Sequence, residues 1–181
     1  SYDMETLTSA GKLKDFSGLG NDADLINNLK YQTGQVKNGS YVLDGNGYFR
    51  RGSDSSILLK GNATIFAVIK PSVLTEGAGV IERIYNTAGL SIRLKSTGAI
   101  STSIRSAGGS VLGAASSAGK VVANQAVIVA IVIEKTGDAS SRITHYFNGI
   151  ADTPGVTSNV LDSEAICRFH IGYSEYMTGL K

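Results

Sequence analysis

The chain has 181 residues, 42% of them hydrophobic and 18% charged, with 22 Gly, two Pro and a formal net charge of +2. That composition excludes disorder and suits a turn-rich globular chain, and the small, scattered charge excludes nucleic-acid binding, which needs a concentrated basic stripe. With one cysteine, Cys167, a disulfide framework is excluded as well, and that residue, among apolar neighbours in AICRFHIG, is read as a buried, inert thiol.

The first forty residues are polar and glycine-rich. In LKDFSGLGNDADLI, turn residues (Asp15, Ser17, Gly18, Gly20, Asn21, Asp22) recur so densely that an ordered loop between short strands is expected. Asp24 to Lys30 has the makings of one helical turn, which Asn27 and Asn28 limit. Tyr41–Leu43 and Tyr48–Phe49 flank Asp44-Gly45-Asn46-Gly47, and Asp-Gly and Asn-Gly are strong hairpin signals because these residues accept positive φ. Thr64 to Lys70 (TIFAVIK) is a β-branched apolar run ended by Pro71.

Val80–Tyr85, Leu90–Lys95 and Ile100–Arg105 form a meander with clean alternation: Leu90, Ile92 and Leu94 share one face, as do Ile100, Thr102 and Ile104. Opposite them lie Ser91, Arg93, Lys95, Ser101, Ser103 and Arg105. Residues 107–120 read as a mobile loop or weak edge strand. Ala126 to Ile133 contains eight consecutive apolar residues, too few to span a bilayer, which takes about 20. It is expected to be a strand buried on both faces, paired with Thr64–Lys70. A polar TGDASS turn then leads into RITHYFNG, where Ile143, His145 and Phe147 point one way and Arg142, Thr144 and Tyr146 the other. Ile150–Pro154 returns from the Asn148-Gly149 turn, residues 155–164 form a loop, and Arg168–Tyr173 makes the last strand. No helix of ordinary length and no internal repeat is expected.

LKDFSGLGNDADL, YVLDGNGYF, TIFAVIKPS, GLSIRLKSTGAI, AVIVAIVIEKTG, ITHYFNGIADT and FHIGYS, in this order, resemble the laminin-G-like branch of the concanavalin A-like lectin/glucanase superfamily. The resemblance covers nearly the whole chain and implies a jelly-roll β-sandwich of two antiparallel sheets, spanning 1–181 as one domain. It also implies binding of glycans or protein partners on one sheet or its rim, with Ca²⁺ in some members. Two departures stand out. The family carries a Trp before its central strand, where this chain has no Trp but eight Tyr. The family also closes with a strand beyond the segment matching Tyr173–Lys181, which is expected to be missing here or donated by a partner, unless Tyr2–Leu7 supplies it.

Related glucanases carry a cluster such as E-x-D-x-x-E, because glycoside hydrolysis needs two carboxyl groups about 5–9 Å apart. Glu82 and Glu134 stand singly and are read as surface charges. His145 and His170 have no carboxylate beside them in sequence and, with Cys167, no zinc spacing; both are read as structural. There is no G-x-S-x-G elbow, so no catalytic residue is assigned and an enzyme is not expected. Asp22, Asp24, Asp44, Asn46 and Asp152 are oxygen donors of the kind Ca²⁺ takes, but turn chemistry accounts for them equally, so no cofactor is expected and Ca²⁺ is the one ion they would suit.

The candidate ligand-binding face comprises Arg83, Tyr85, Arg93, Lys95, Ser103 and Arg105, whose guanidinium groups, hydroxyls and one ring suit a polyhydroxylated or acidic glycan. The expected function is a non-catalytic attachment module, a carbohydrate-binding adhesin domain of a phage or cell-surface protein. The alternative is a structural virion component working through protein–protein packing, with surface glycans or virion and assembly proteins as partners and homo-oligomerisation allowed. Ser/Thr/Gly/Asn-rich strands, one Cys, no basic-then-apolar leader and the precedent of phage members in the family point to a virion or extracellular surface. No membrane insertion is expected.

Overall fold

The computed structural model describes residues 2–26, 43, 47–52, 59–84, 89–105, 111–162 and 168–172. Among them there is no helix, and hence none able to cross a membrane. The chain is all-β: two antiparallel sheets pack face to face, and a small third sheet is joined to the larger one through Leu13, which bridges to Ala23 and packs on Phe49.

The third sheet pairs β1 (Tyr2–Leu7) with β2 (Leu13–Asp15), so among the described residues the N-terminal strand does not close either large sheet. The seven-stranded sheet contains β3 (Asp24–Ile26), β4 (Tyr48–Arg51), β6 (Ala78–Ile84), β7 (Gly89–Leu94), β8 (Ile100–Arg105), β9 (Val111–Ala115) and β14 (Phe169–Ile171), in the order β3-β4-β14-β6-β7-β8-β9. The five-stranded sheet contains β5 (Ala63–Ile69), β10 (Val127–Gly137), β11 (Ser140–Phe147), β12 (Ile150–Ala151) and β13 (Gly155–Thr157). Its order is β12-β11-β10-β5, with β13 also pairing with β11.

The core follows from strand alternation. β7 and β8 present Leu90, Ile92, Leu94, Ile100 and Ile104 inward, each at most 1% exposed. The five-stranded sheet answers with Val127, Val129, Ile131, Ile133 and Ile143, and these side chains form one hydrophobic cluster. Fully burying a side chain of this size is worth roughly 1.5–3 kcal/mol, so this cluster dominates the stability of the fold. A second cluster centres on Leu13, Ala23 and Phe49. One directed contact crosses the core, where Thr102 Oγ1 lies 2.9 Å from His145 Nε2. Burial lowers the His145 ring from the usual imidazole range, outweighing the pull of Asp152.

Several expectations hold. Ala126–Ile133 pairs antiparallel with Thr64–Lys70 and with the strand after the TGDASS turn. The meander pairs in sequence from β6 to β9. Asn148 and Gly149 both have positive φ, 50° and 82°, the signature of the primed two-residue hairpin turn, and the Asn148 carboxamide accepts the Ile128 N–H at 3.0 Å.

Others need correction. The apolar run is buried on one face only. Val127, Val129, Ile131 and Ile133 enter the core, while Ile128 is 41% exposed, and Phe66 and Val68 on β5 are each 63% exposed. Length and β-branching do not reveal whether a third layer covers a sheet, and none does among the described residues. Residues 107–120 contain the edge strand β9, and the loop expected over 155–164 begins with β13. Asp24–Ile26 is a strand, not the start of a helical turn, because it pairs with Tyr48–Arg50; the rest of that stretch, 27–30, lies outside the described residues. So does the segment matching Tyr173–Lys181.

The two long edges of the sandwich differ. On one side, Gly155 of β13 meets Ala114 of β9 so closely that a Cβ on Gly155 would sit 2.3 Å from the Ala114 methyl. Next to it, Asn159 Nδ2 donates to the Ile104 carbonyl at 2.8 Å. On the other side β5 is the last strand of its sheet among the described residues.

Candidate functional site

Residues directly opposite each other in antiparallel strands share a face, so register decides what the outer face of the seven-stranded sheet displays. One row crosses all seven strands: Asp24, Arg50, His170, Glu82, Ser91, Ser103 and Gly113. The row behind it on the inner face reads Leu25, Phe49, Ile171, Ile81, Ile92, Thr102 and Ala114. The same strands are thus almost wholly polar outside and apolar inside.

The outer row is ordered by internal pairing. Glu82, fully buried, accepts from Arg93 Nη2 at 2.8 Å and from the Ser91 hydroxyl at 3.1 Å. Its expected role as a surface charge is therefore wrong. It is the acceptor at the floor of the face, and the guanidinium above it is 24% exposed. His170, 1% exposed, stands opposite Glu82 and meets the Tyr48 ring edge-on at 5.4 Å. Burial pushes its ring down to about 4; Glu82 opposes this, while Arg50 and Arg168 add to it. At neutral pH the imidazole is uncharged and adds no charge to this floor.

Of the six residues expected on this face, Arg93, Ser103 and Arg105 lie on it and are half-buried. Lys95 lies just past the end of β7, its ammonium 3.7 Å from Glu76. Glu76 is held below the usual carboxylate range by the Ser96 N–H and hydroxyl, against a small burial effect, with Lys95 adding to the lowering. Arg83 is not on this face. It is opposite Leu90, fully buried on the inward side. The reason is a bulge: Gly79 pairs with Arg93 and Ile81 with Ile92, so the extra residue inverts the alternation beyond it. Tyr85 lies outside the described residues. Simple alternation across the bulge therefore selected Arg83 and missed Glu82. His170, Arg50 and Asp24 were missed because their strands reach this sheet by long-range pairing that no local pattern encodes.

The acidic loop residues act as turn and ion-pair chemistry. Asp22 accepts the Asp15 N–H at 2.8 Å, Asp24 pairs with Lys12 at 2.8 Å, and Asp152 accepts the Ser117 N–H at 2.5 Å with Lys120 3.4 Å away. The Ser117 N–H holds the Asp152 carboxyl down to about 2 against partial burial, with help from the Ser117 hydroxyl, the Thr153 N–H and Lys120. Asp15 is buried, which raises its carboxyl, yet the Ser17 hydroxyl and the N–H groups of Ser17 and Asn21 leave it far below the usual range. Among the described residues no three His, Cys, Asp or Glu side chains gather as a metal site; Asp44 and Asn46 lie outside them.

The outer face of the five-stranded sheet is the opposite in kind. Phe66 of β5, Ala130 of β10 and Tyr146 of β11 form one row, Val68 and Ile128 a second, and Thr64, Val132 and Thr144 a third. Val156, 69% exposed, extends it beside Arg142.

No family model matches the chain, and no curated protein sequence matches it. Among solved structures it is similar to domain 4 of AbnA, a GH43 extracellular arabinanase from Geobacillus stearothermophilus, solved in complex with arabinotriose. The likeness has a TM-score of 0.57 at 13% sequence identity and covers 100% of this chain and 75% of that one. At that identity it establishes the fold: a β-sandwich of the kind found in that arabinanase domain.

Proposed function

We propose that the chain is a non-catalytic carbohydrate-binding module that takes its glycan on the outer face of the seven-stranded sheet. The observation that carries this reading is the polar row with Arg93 anchored over Glu82. Anchoring removes much of the rotamer freedom an arginine otherwise loses on binding. Vicinal sugar hydroxyls need donors and acceptors fixed at strand spacing, and Arg93, Ser101, Ser103 and Arg105 supply both. The arabinotriose bound by the similar AbnA domain supports a glycan as the ligand class. On the described row, the two carboxylates Asp24 and Glu82 are three strands apart, about 14 Å, beyond the separation that glycoside hydrolysis uses.

A second reading, a structural component that works by protein–protein packing in a virion or on a cell surface, is favoured by the exposed apolar face of the five-stranded sheet. Binding to a panel of neutral and acidic oligosaccharides, arabinan fragments included, separates the two. The carbohydrate reading expects measurable binding that falls at least tenfold in Arg93→Ala/Arg105→Ala. The same loss is expected in Lys95→Ala/Arg105→Ala, which leaves the Glu82 pair intact. Parent-level affinity in both doubles, or no binding to any sugar, rejects it.

A further inference from the structure

From the open edge of the five-stranded sheet we infer that two copies of this chain pair through β5, antiparallel about a two-fold axis at Phe66. Three features of β5 lead there. First, the strand is long and undefended: ATIFAVI has no charge, Pro or Gly, and natural edge strands ordinarily carry such devices to repel other chains. Among the described residues no strand lies on its outer side. Second, the core is unfinished at this edge. Ala63, Ile65 and Ala67 point inward but are only partly buried, whereas their neighbours on β10, Val129, Ile131 and Ile133, are at most 2% exposed.

Third, the strand is self-complementary when reversed. With Phe66 facing the partner's Phe66, Thr64 meets the partner's Val68 on the outer face and Ile65 meets the partner's Ala67 on the inner one. Each face is thus continued by its own kind. The charges agree as well. Continuing the observed register places Glu134 of β10 opposite Asn62, on the outer row beyond Val132, and Lys135 N–H already donates to Asn62 Oδ1 at 2.7 Å. Pairing about Phe66 brings the partner's Lys70 to the other side of Asn62. Exposed Lys70 and exposed Glu134 then lie in one row, two strands apart, and the two-fold repeats the contact. A closed pair also consumes both edges, so the assembly stops at two.

Sedimentation equilibrium of the whole chain tests this. A species of twice 18.9 kDa is expected at micromolar concentrations, and Phe66→Lys, which sets like charges across the two-fold, is expected to weaken it at least tenfold while the monomer stays folded. Register is read by cysteine cross-linking in a Cys167→Ser background. Phe66→Cys is expected to oxidise to a covalent dimer, because directly opposed Cβ atoms are about 5 Å apart. Thr64→Cys is not, since its own copy would lie about 13 Å away along the strands. A parent that remains monomeric, or a dimer that Phe66→Lys leaves unchanged and Phe66→Cys does not trap, overturns the inference.

Discussion

The two outer faces of this sandwich are built on the same strand geometry but organised by different forces. On the seven-stranded sheet the outward side chains bond to one another: Arg93 to Glu82, Ser91 to Glu82, His170 beside Tyr48. On the five-stranded sheet an exposed hydrocarbon patch, with Phe66, Val68 and Val156 each more than 60% exposed, sits among Thr64, Thr144, Tyr146 and Arg142. A polar face can be complete in water. Exposed hydrocarbon, by contrast, lowers its free energy only when it is covered.

The sharpest way to break the contrast is to place a charge on each side of the five-stranded sheet in turn. Ile131→Asp places a carboxylate in the core cluster, where an unpaired charge costs several kcal/mol, and far-UV circular dichroism is expected to show an unfolded chain. Val156→Asp, on the same sheet but outward and opposite Arg142, is expected to change stability by no more than about 0.5 kcal/mol. Equal effects in the two variants would mean that the apolar face is not the outer one.

The polar face is next. Glu82→Ala leaves Arg93 and Ser91 without their shared acceptor, and a loss of roughly 3 kcal/mol is expected in urea unfolding. If Glu82 were the surface charge that its sequence context suggests, the loss would stay under about 1 kcal/mol.

Acid provides the mildest probe. His170 is held at about 4 in the folded protein, below its ordinary 6.5, so the folded state binds fewer protons than the unfolded one. The stability present above pH 6.5 drains away as pH falls towards 4, and the loss is about 2 kcal/mol by pH 5. His145, also lowered by burial, adds in the same direction. A fall of several degrees in melting temperature between pH 7 and 5 is expected, and His170→Gln is expected to flatten it. A flat profile in the parent would place both rings in water.

How much of this was legible in the sequence depends on the range of the interaction. Alternation in Leu90–Leu94 and Ile100–Arg105 assigned the inward and outward sides of β7 and β8, and Asn148-Gly149 declared its turn, because these signals are complete within a few residues. The bulge at Gly79–Ile81 is not, and one extra residue exchanged Arg83 for Glu82. The strand carrying His170 arrives from far along the chain to lie between β4 and β6, so its contribution to the polar floor has no local sign. The apolar run of β10 carried a correct strand and a wrong environment. Its residues state that they tolerate burial, not that a second layer exists to bury them.

The Thr102–His145 bond has a mechanical consequence. Interdigitated apolar side chains resist both separation and slip by their shape, but their contacts carry no direction of their own. A directed bond of 2.9 Å between the two sheets is indexed to one position, as a dowel indexes two plates. Sliding by one residue pair would leave the imidazole against Ile104 or Ile100 with nothing to bond, so the sheets are registered as well as joined. The polar face on one sheet thus keeps a fixed position relative to the apolar face on the other.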